Sequence, residues 1–283
     1  VLLFIPLAQF AVSWIFINFD SFLMAFQNNF GQLTLTNFSD MWESLTSPGG
    51  QIGLALKNTF KSFFAMELIG VPISLFISYF IYKKTVGYKL FRVIFYLPSV
   101  LSAIVYVTAF SQIVSPMGPL KILLEKIGIS LPAEGLLYNI HTASDTVIFY
   151  LVWISACGNI LYYSAMARIP PELIEYGRLE GITLFRELIS VILPLIWPTL
   201  STTIIVDCTA LLNVGPPILL FNNASYGTTN LNYWFYMQVY GGGVNGIGSY
   251  GVMSATGLCF TAISIPIILL LRKLMERISD VEY

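Results

Sequence analysis

An all-helical integral membrane protein with about six spans is the architecture the sequence predicts, and three observations predict it. Of 283 residues, 56% are hydrophobic and only 10% are charged, and the mean hydropathy is +0.76. Soluble domains carry about 25% charged residues, so a surface this poor in charge needs lipid as its solvent. Six runs come close to the roughly 20 apolar residues that cross a hydrocarbon layer. The basic residues gather on alternate connections between those runs.

The runs are, in order, Val1 to about Phe19, Thr59 to Tyr82, Phe91 to Val114, Ser144 to Met166, Leu188 to Leu212 and Ser249 to Leu271. Each is expected to be a helix, because in hydrocarbon a lone segment satisfies its own backbone groups only by coiling. The first run begins at Val1, so a cytoplasmic leader ahead of it is expected. The basic flank and small-residue cleavage site of a signal peptide are absent. With the N-terminus inside, the inner connections hold ten basic residues: Lys83, Lys84, Lys89, Arg92, Arg168, Arg178, Arg186, Arg272, Lys273 and Arg277. The outer connections hold four, Lys57, Lys61, Lys121 and Lys126. The positive-inside rule then places both termini in the cytoplasm of a multi-pass cell-membrane protein. One domain, 1–283, is the simplest organisation, with external loops at about 20–58, 115–143 and 213–248. The uncharged loop 213–248 contains Gly-Pro-Pro at 215–217 and Gly-Gly-Gly at 241–243. It also carries aromatic points at Tyr226, Tyr233, Trp234, Phe235 and Tyr236. Loops longer than about 12–15 residues tend to be functional or disordered, and this one is expected to face outside and meet a partner.

Several chemistries are excluded. A net charge of −1 with no basic stripe argues against nucleic acid. Cys157, Cys208 and Cys259 all lie in apolar runs with no metal or disulfide spacing, as buried hydrophobes would. The only histidine, His141, sits near the outer end of the fourth run and suits a surface better than a proton relay. No phosphate-binding Gly-x-x-x-x-Gly-Lys-[Ser/Thr] and no hydrolase motif occurs. The chain is therefore not expected to be an enzyme or to bind a cofactor or metal.

The inner loop 167–187 is the most charged stretch. Pro170 and Pro171 precede Glu172 and Glu175, and both proline and acids suit the first turn of a helix. Leu173, Ile174, Tyr176 and Leu179 alternate with charge, Gly181 interrupts, and a second helical segment leads to Leu193-Pro194. A short amphipathic helix of this kind offers anchors for a groove on a partner.

The order of residues in that loop resembles the Glu-Ala-Ala loop of binding-protein-dependent importer permeases. Glu175-Tyr176-Gly177, Glu180-Gly181 and Val191-Ile192-Leu193-Pro194 stand at the places of its motif. Tyr176 and Gly177 replace the two alanines, and Glu180 replaces an aspartate. Leu35-Thr-Asn-Phe, Asn58-Thr59, Arg92-Val-Ile-Phe-Tyr-Leu-Pro98 and Gly118-Pro-Leu-Lys-Ile-Leu-Leu extend the likeness to the maltose and glycerol-phosphate branch. Within that branch the chain resembles the first of two membrane subunits. The resemblance implies the type I ABC importer permease fold, with Glu172, Glu175, Tyr176, Gly177, Glu180, Gly181, Leu193 and Pro194 forming the ATPase-coupling region. It also implies a second permease subunit, two cytoplasmic ATP-binding cassette subunits that hold ATP and Mg, and an extracytoplasmic solute-binding protein.

The same resemblance implies a solute site on the spans flanking the loop. Counted from Glu175, it covers Tyr150, Trp153, Ile154 and Cys157, then Asp207, Ala210, Leu211 and Val214. Each set has i, i+3, i+4, i+7 spacing and would form one helical face. Aromatic rings stack on sugar faces, so Tyr150 and Trp153 suit a carbohydrate, and they are expected to face Asp207. An ionisable group inside a span costs about 2.5–3.5 kcal/mol and is a functional candidate by default. Asp207 and Glu67 both qualify. An ion-coupled secondary transporter is the alternative, with those two residues as its only relay candidates, and a non-transporting scaffold is another. Neither accounts for Gly181 and Leu193-Pro194.

Overall fold

The computed structural model describes residues 4–28, 30–157, 160–240 and 250–277. Val1 and any leader, the Gly-Gly-Gly at 241–243 and Ser249 lie outside them, as does the side chain of Arg178. The described residues form helices α1 (Phe4–Ala25), α2 (Thr36–Thr46), α3 (Gln51–Tyr82), α4 (Tyr88–Val100), α5 (Ala103–Ile113) and α6 (Pro119–Lys126). They continue with α7 (Ala143–Cys157), α8 (Ile160–Met166), α9 (Pro171–Leu179), α10 (Leu184–Leu195), α11 (Trp197–Thr209), α12 (Leu231–Tyr240) and α13 (Tyr250–Met275). Among the described residues the only extended pairing is a single antiparallel bridge, Gln27 with Leu33.

Among the described residues, four stretches are long and apolar enough to cross a membrane: α1, α3, α7 taken together with α8, and α13. Two bent pairs, α4 with α5 and α10 with α11, bring the number to six when each pair counts as one span. The expectation of about six spans therefore holds, but two of the six are not continuous helices. Between Tyr88–Pro98 and Ala103–Ile113 the axis turns by 105°. Pro98 has no N–H to give, and Leu101 and Ser102 are extended. Between α10 and α11 the turn is 74°, at Ile196. Pro198 occupies the first turn of α11, where a missing donor costs nothing. The helix bounds also shift: α1 continues past Asp20 to Ala25, and α3 starts at Gln51, well ahead of Thr59. The connections 20–58, 115–143 and 213–248, expected as external loops, contain helices α2, α6 and α12.

Contacts gather into two units. One is built from residues 1–57 and 229–267. There the Asn37 side chain donates to the carbonyls of Ala25, at 3.0 Å, and Gln27, at 2.8 Å, tying the end of α1 to the start of α2. α13 passes so close that a Cβ on Gly251 would stand 2.5 Å from Asn37 Nδ2. The other unit comprises residues 58–228 and 268–283. Its main core joins Val71, Leu75 and Tyr79 of α3, Tyr162 and Met166 of α8, Ile174 of α9, and Leu188, Ile192 and Leu195 of α10. A smaller core holds Phe63, Cys208 and Val214. α3 meets α7 through small residues, with Ser155 Oγ 2.9 Å from where a Gly70 Cβ would be. Small residues at such crossings let helix backbones approach in lipid.

Gly251→Ala should lower the thermal midpoint of the detergent-purified protein, because the new methyl displaces a hydrogen-bonded amide; overpacking of this kind costs about 1–3 kcal/mol. Gly257, which has open space around it in the same helix, serves as the control, and Gly257→Ala should leave the midpoint unchanged or higher.

Candidate functional site

The loop 167–187 folds as its sequence suggests. α9 opens on Pro171, with Glu172 in its first turn. It closes on Gly181, whose φ of +73° is left-handed. The Ile182 N–H bonds the Gly177 carbonyl at 3.2 Å, the six-to-one bond of a Schellman stop. Glycine is the residue that adopts this conformation without strain. Ile174 is buried and Leu173 partly buried in the main core, so one face of α9 is fixed to the spans. The opposite face is bare. Tyr176 is 68% exposed and Leu179 83% exposed, with Glu172, Glu175 and Glu180 around them. Gly177 is buried, and a methyl there would touch Ile182 at an ordinary 3.5 Å. Leu193 and Pro194 are half-buried on α10, and Leu193 packs against the main core. The motif residues thus divide into an exposed group, a hinge and an anchor.

Three contacts fasten the start of α10 to the end of α3. Lys83 Nζ donates to Glu187 Oε2 at 2.8 Å, with both side chains buried. The Tyr79 hydroxyl donates to the Leu184 carbonyl at 3.0 Å, and the Lys83 ammonium lies 5.7 Å from the Tyr79 ring centre. The rings of Phe76 and Phe185 are 6.1 Å apart. Sequence reasoning used Lys83 only for topology and passed over Glu187. Its signal was a carboxylate directly abutting an apolar run with no charge after it until Asp207.

The residues expected to bind solute fall into two groups. Tyr150, buried, and Trp153, half-buried, are 6.3 Å apart in an aromatic cluster. Phe110 lies 5.1 Å from Tyr150 and 6.1 Å from Trp153. Phe221 lies 5.0 Å from Tyr150, and Tyr106 6.3 Å from Trp153. Cys157 is buried within electrostatic range of Tyr106. Asp207 is grouped differently: it lies on the side of Glu67 and Tyr162. Leu211 packs with Cys208 and Phe63. Among the described residues no hydrogen bond, ion pair or ring contact joins Asp207 to Tyr150 or Trp153. Nor does the second set form one helical face, because α11 ends at Thr209 and a 3₁₀ turn, Leu211–Asn213, follows. Phe110, Tyr106 and Phe221 went unnoticed in the sequence, since nothing local to them announces a shared cluster.

Glu67 lies in a π-helical segment of α3, Met66–Gly70. Such segments recur at functional positions. Its Oε1 is buried without a hydrogen-bond partner among the described residues. His141 lines a cavity of about 300 Å³ with Phe110, Leu136, Asp145 and Phe149. In the loop after α11, Asn222 is buried and donates to the Leu137 carbonyl at 3.2 Å, while Thr228 donates to its Oδ1 at 2.9 Å. Asn223, Ala224 and Tyr226 all take positive φ around this anchor. Trp234 is buried, whereas Tyr226 and Tyr236 are exposed.

The two glycines of α9 should respond oppositely to alanine. Gly177→Ala should slow proteolysis and hydrogen exchange of 171–182, by the roughly 0.4–1 kcal/mol that a compatible Gly→Ala change contributes. Gly181→Ala should speed both, because a left-handed non-glycine residue costs about 1–2 kcal/mol.

Comparison with known proteins places this geometry. Residues 70–280 match the family described as "Binding-protein-dependent transport system inner membrane component". The arabinooligosaccharides transport system permease protein AraP of Bacillus subtilis (strain 168) is 24% identical over 94% of this chain and 84% of its own length. The lactose transport system permease protein LacF of Rhizobium radiobacter is 23% identical over 66% of this chain and 63% of its own. The "Probable starch degradation products transport system permease protein AmyC" of Thermoanaerobacterium thermosulfurigenes is 32% identical over 41% of this chain, and the match spans 43% of AmyC. Two solved structures of a bacterial ABC transporter that imports the acidic polysaccharide alginate share the fold, each at 22% identity. One has a TM-score of 0.82 and covers 98% of this chain and 94% of that one. The other, in complex with its alginate pentasaccharide-bound periplasmic protein, has a TM-score of 0.83 and covers 99% and 95%. With three-quarters of its length inside the family match, and with the stopped helix and bent spans just described, the chain is a member of the binding-protein-dependent transport system inner membrane component family, a membrane-spanning permease and not itself an enzyme.

Proposed function

We propose that this chain forms one half of the translocation pathway of an ATP-driven carbohydrate importer. The observation that carries the reading is α9: a short helix anchored on one side by Ile174, stopped by Gly181, and presenting Tyr176 and Leu179 to solvent between two spans. Large apolar side chains left bare beside a hydrogen-bonded stop are what a docking helix needs. In this reading both termini are cytoplasmic, and α9 seats in a cleft on an ATP-binding cassette subunit. ATP and Mg are held by two such subunits, and a second permease completes the pathway. An extracytoplasmic solute-binding protein delivers solute to the outer loops, including 213–248. Family membership supports the assembly, and the names of AraP and LacF support carbohydrate as the solute class.

Within this reading the half-buried Trp153 offers a ring face for sugar stacking and the buried Tyr150 packs beside it to hold it in place, with Cys157 at the far end of the same helix. Asp207 and Leu211 border a separate stretch of the pathway. Stacking accounts for sugar selectivity here better than charge does, because the aromatic cluster is the larger assembly and carries no ion.

Glu175→Lys should uncouple hydrolysis from uptake, with transport falling at least tenfold while the protein still inserts and folds. Parental uptake in that variant would count against docking through α9. Trp153→Ala should reduce uptake of the cognate sugar several-fold while receptor binding and assembly persist. Asp207→Asn should change solute preference or affinity more than expression; a complex that loses its partner permease on this substitution would mark Asp207 as interface instead.

A further inference from the structure

We propose that Lys83 and Glu187 are positioning residues for transport: their buried ion pair is the joint through which movement of α9 and α10 enters α3. The inference rests on the reading of α9 as the ATPase-docking helix. Four residues, 180–183, separate α9 from α10, and Ile174 and Leu188 share one core, so α9 and the start of α10 move as a body. That body packs on Val71, Leu75 and Tyr79 of α3 in the shared core, and at the loop end of α3 three contacts of different kinds converge. In the ion pair Lys83 Nζ lies 2.5 Å from Glu187 Oε1 and 2.8 Å from Oε2, the Tyr79–Leu184 hydrogen bond is 3.0 Å, and the Phe76–Phe185 rings are 6.1 Å apart. The Lys83 and Glu187 side chains are only 8% and 3% exposed.

Stability alone does not call for charge at this position. A buried ion pair is often no better for stability than a well-packed hydrophobic pair of similar size. What it adds is direction, because a short charged hydrogen bond holds one geometry where two apolar chains can slide. Lys83 caps α3 on the loop side, and Glu67 lies 16 residues earlier in the same helix, about 24 Å away at 1.5 Å per residue. A displacement applied at Lys83 is therefore delivered along α3 to the level of the Glu67 π-segment. The joint lets one helix report the position of the docking helix deep within the membrane.

The test uses the intact importer in proteoliposomes and reads solute transported per ATP hydrolysed. Single substitutions risk misfolding, since each strands a buried charge. The informative variant is therefore Lys83→Met with Glu187→Met, which keeps bulk and removes charge. Alongside it, a Glu175→Cys probe is cross-linked to the ATPase with and without the paired methionines. The expected result is a fall of at least tenfold in solute per ATP, with the cross-link retained, and recovery of most of the ratio in the swapped pair Lys83→Glu with Glu187→Lys. A parental ratio in the paired-methionine variant overturns the joint. So does loss of the cross-link together with the ratio, which would mean that the pair merely folds the loop. Absence of the cross-link when Lys83 and Glu187 are intact overturns the docking reading, and the joint falls with it.

Discussion

Hydrocarbon offers no partner to a peptide group, and that constraint shapes every irregularity of this chain. An apolar helix can bend in lipid only where it leaves few donors and acceptors exposed. At the 105° turn, Leu101 N–H still reaches the Leu97 carbonyl, and Val105 N–H reaches Ser102. At the 74° turn, Ile196 N–H closes on Ile192, and Thr199 and Leu200 both bond the Ile196 carbonyl. Proline supplies the remaining economy, because Pro98, Pro194 and Pro198 have no N–H to satisfy. Past the second turn, Thr202 and Thr203 hydroxyls donate back to the carbonyls of Pro198, at 2.7 Å, and Thr199, at 2.9 Å. Side-chain hydroxyls used this way bend a helix while keeping its carbonyls bonded.

The unit built around α3 uses the same economy to place a polar loop against apolar spans. Tyr162 and Thr203 share a hydroxyl contact of 3.2 Å between α8 and α11, the two spans that lead into and out of the loop. Arg92 at the start of α4 lies within 6 Å of the rings of Tyr96 and Tyr163, a cation–π arrangement at the helix ends. Arg92 thus sits where a span begins, while Val71, Leu75, Ile192 and Leu200 fill the main core. The loop helix α9 is held by Ile174 and Leu173 on one face, so its exposed face can be offered to a partner without loosening the core.

Much of this was legible in the sequence. Hydropathy located the apolar runs, because lipid imposes length and composition on any span. Gly181 was legible as a stop because its left-handed φ leaves few residue types available, and Pro171 as a start for the complementary reason. The bends were not legible. Pro98 and Pro194 lie inside runs whose hydropathy never falls, and a window average cannot separate a kinked span from a straight one. The grouping of Tyr150 with Phe110 and Phe221 was hidden for a different reason: each pair is separated by 40 or more residues, and helical spacing reports only neighbours on one helix. Asp207 and Glu67 were each legible as an ionisable residue in an apolar run, but not their nearness to one another, since 140 residues separate them.

The π-segments at 11–16, 66–70 and 188–192 bear on how such chains diverge. A π-turn is what a one-residue insertion into an α-helix becomes when packing on both sides refuses to rotate. In α3 the flanks are held by Phe63 on one side and by Val71, Leu75 and Tyr79 on the other. Removal of one residue between 66 and 70 would return the segment to α-helix and leave both flanks facing as they do now. Lineages can therefore gain or lose a residue at this level without rebuilding the bundle, and Glu67 sits within the stretch where such a change is least costly. An alignment that forbids a gap there would shift every position on one side of the segment by one, and with it the apparent identity of the buried carboxylate.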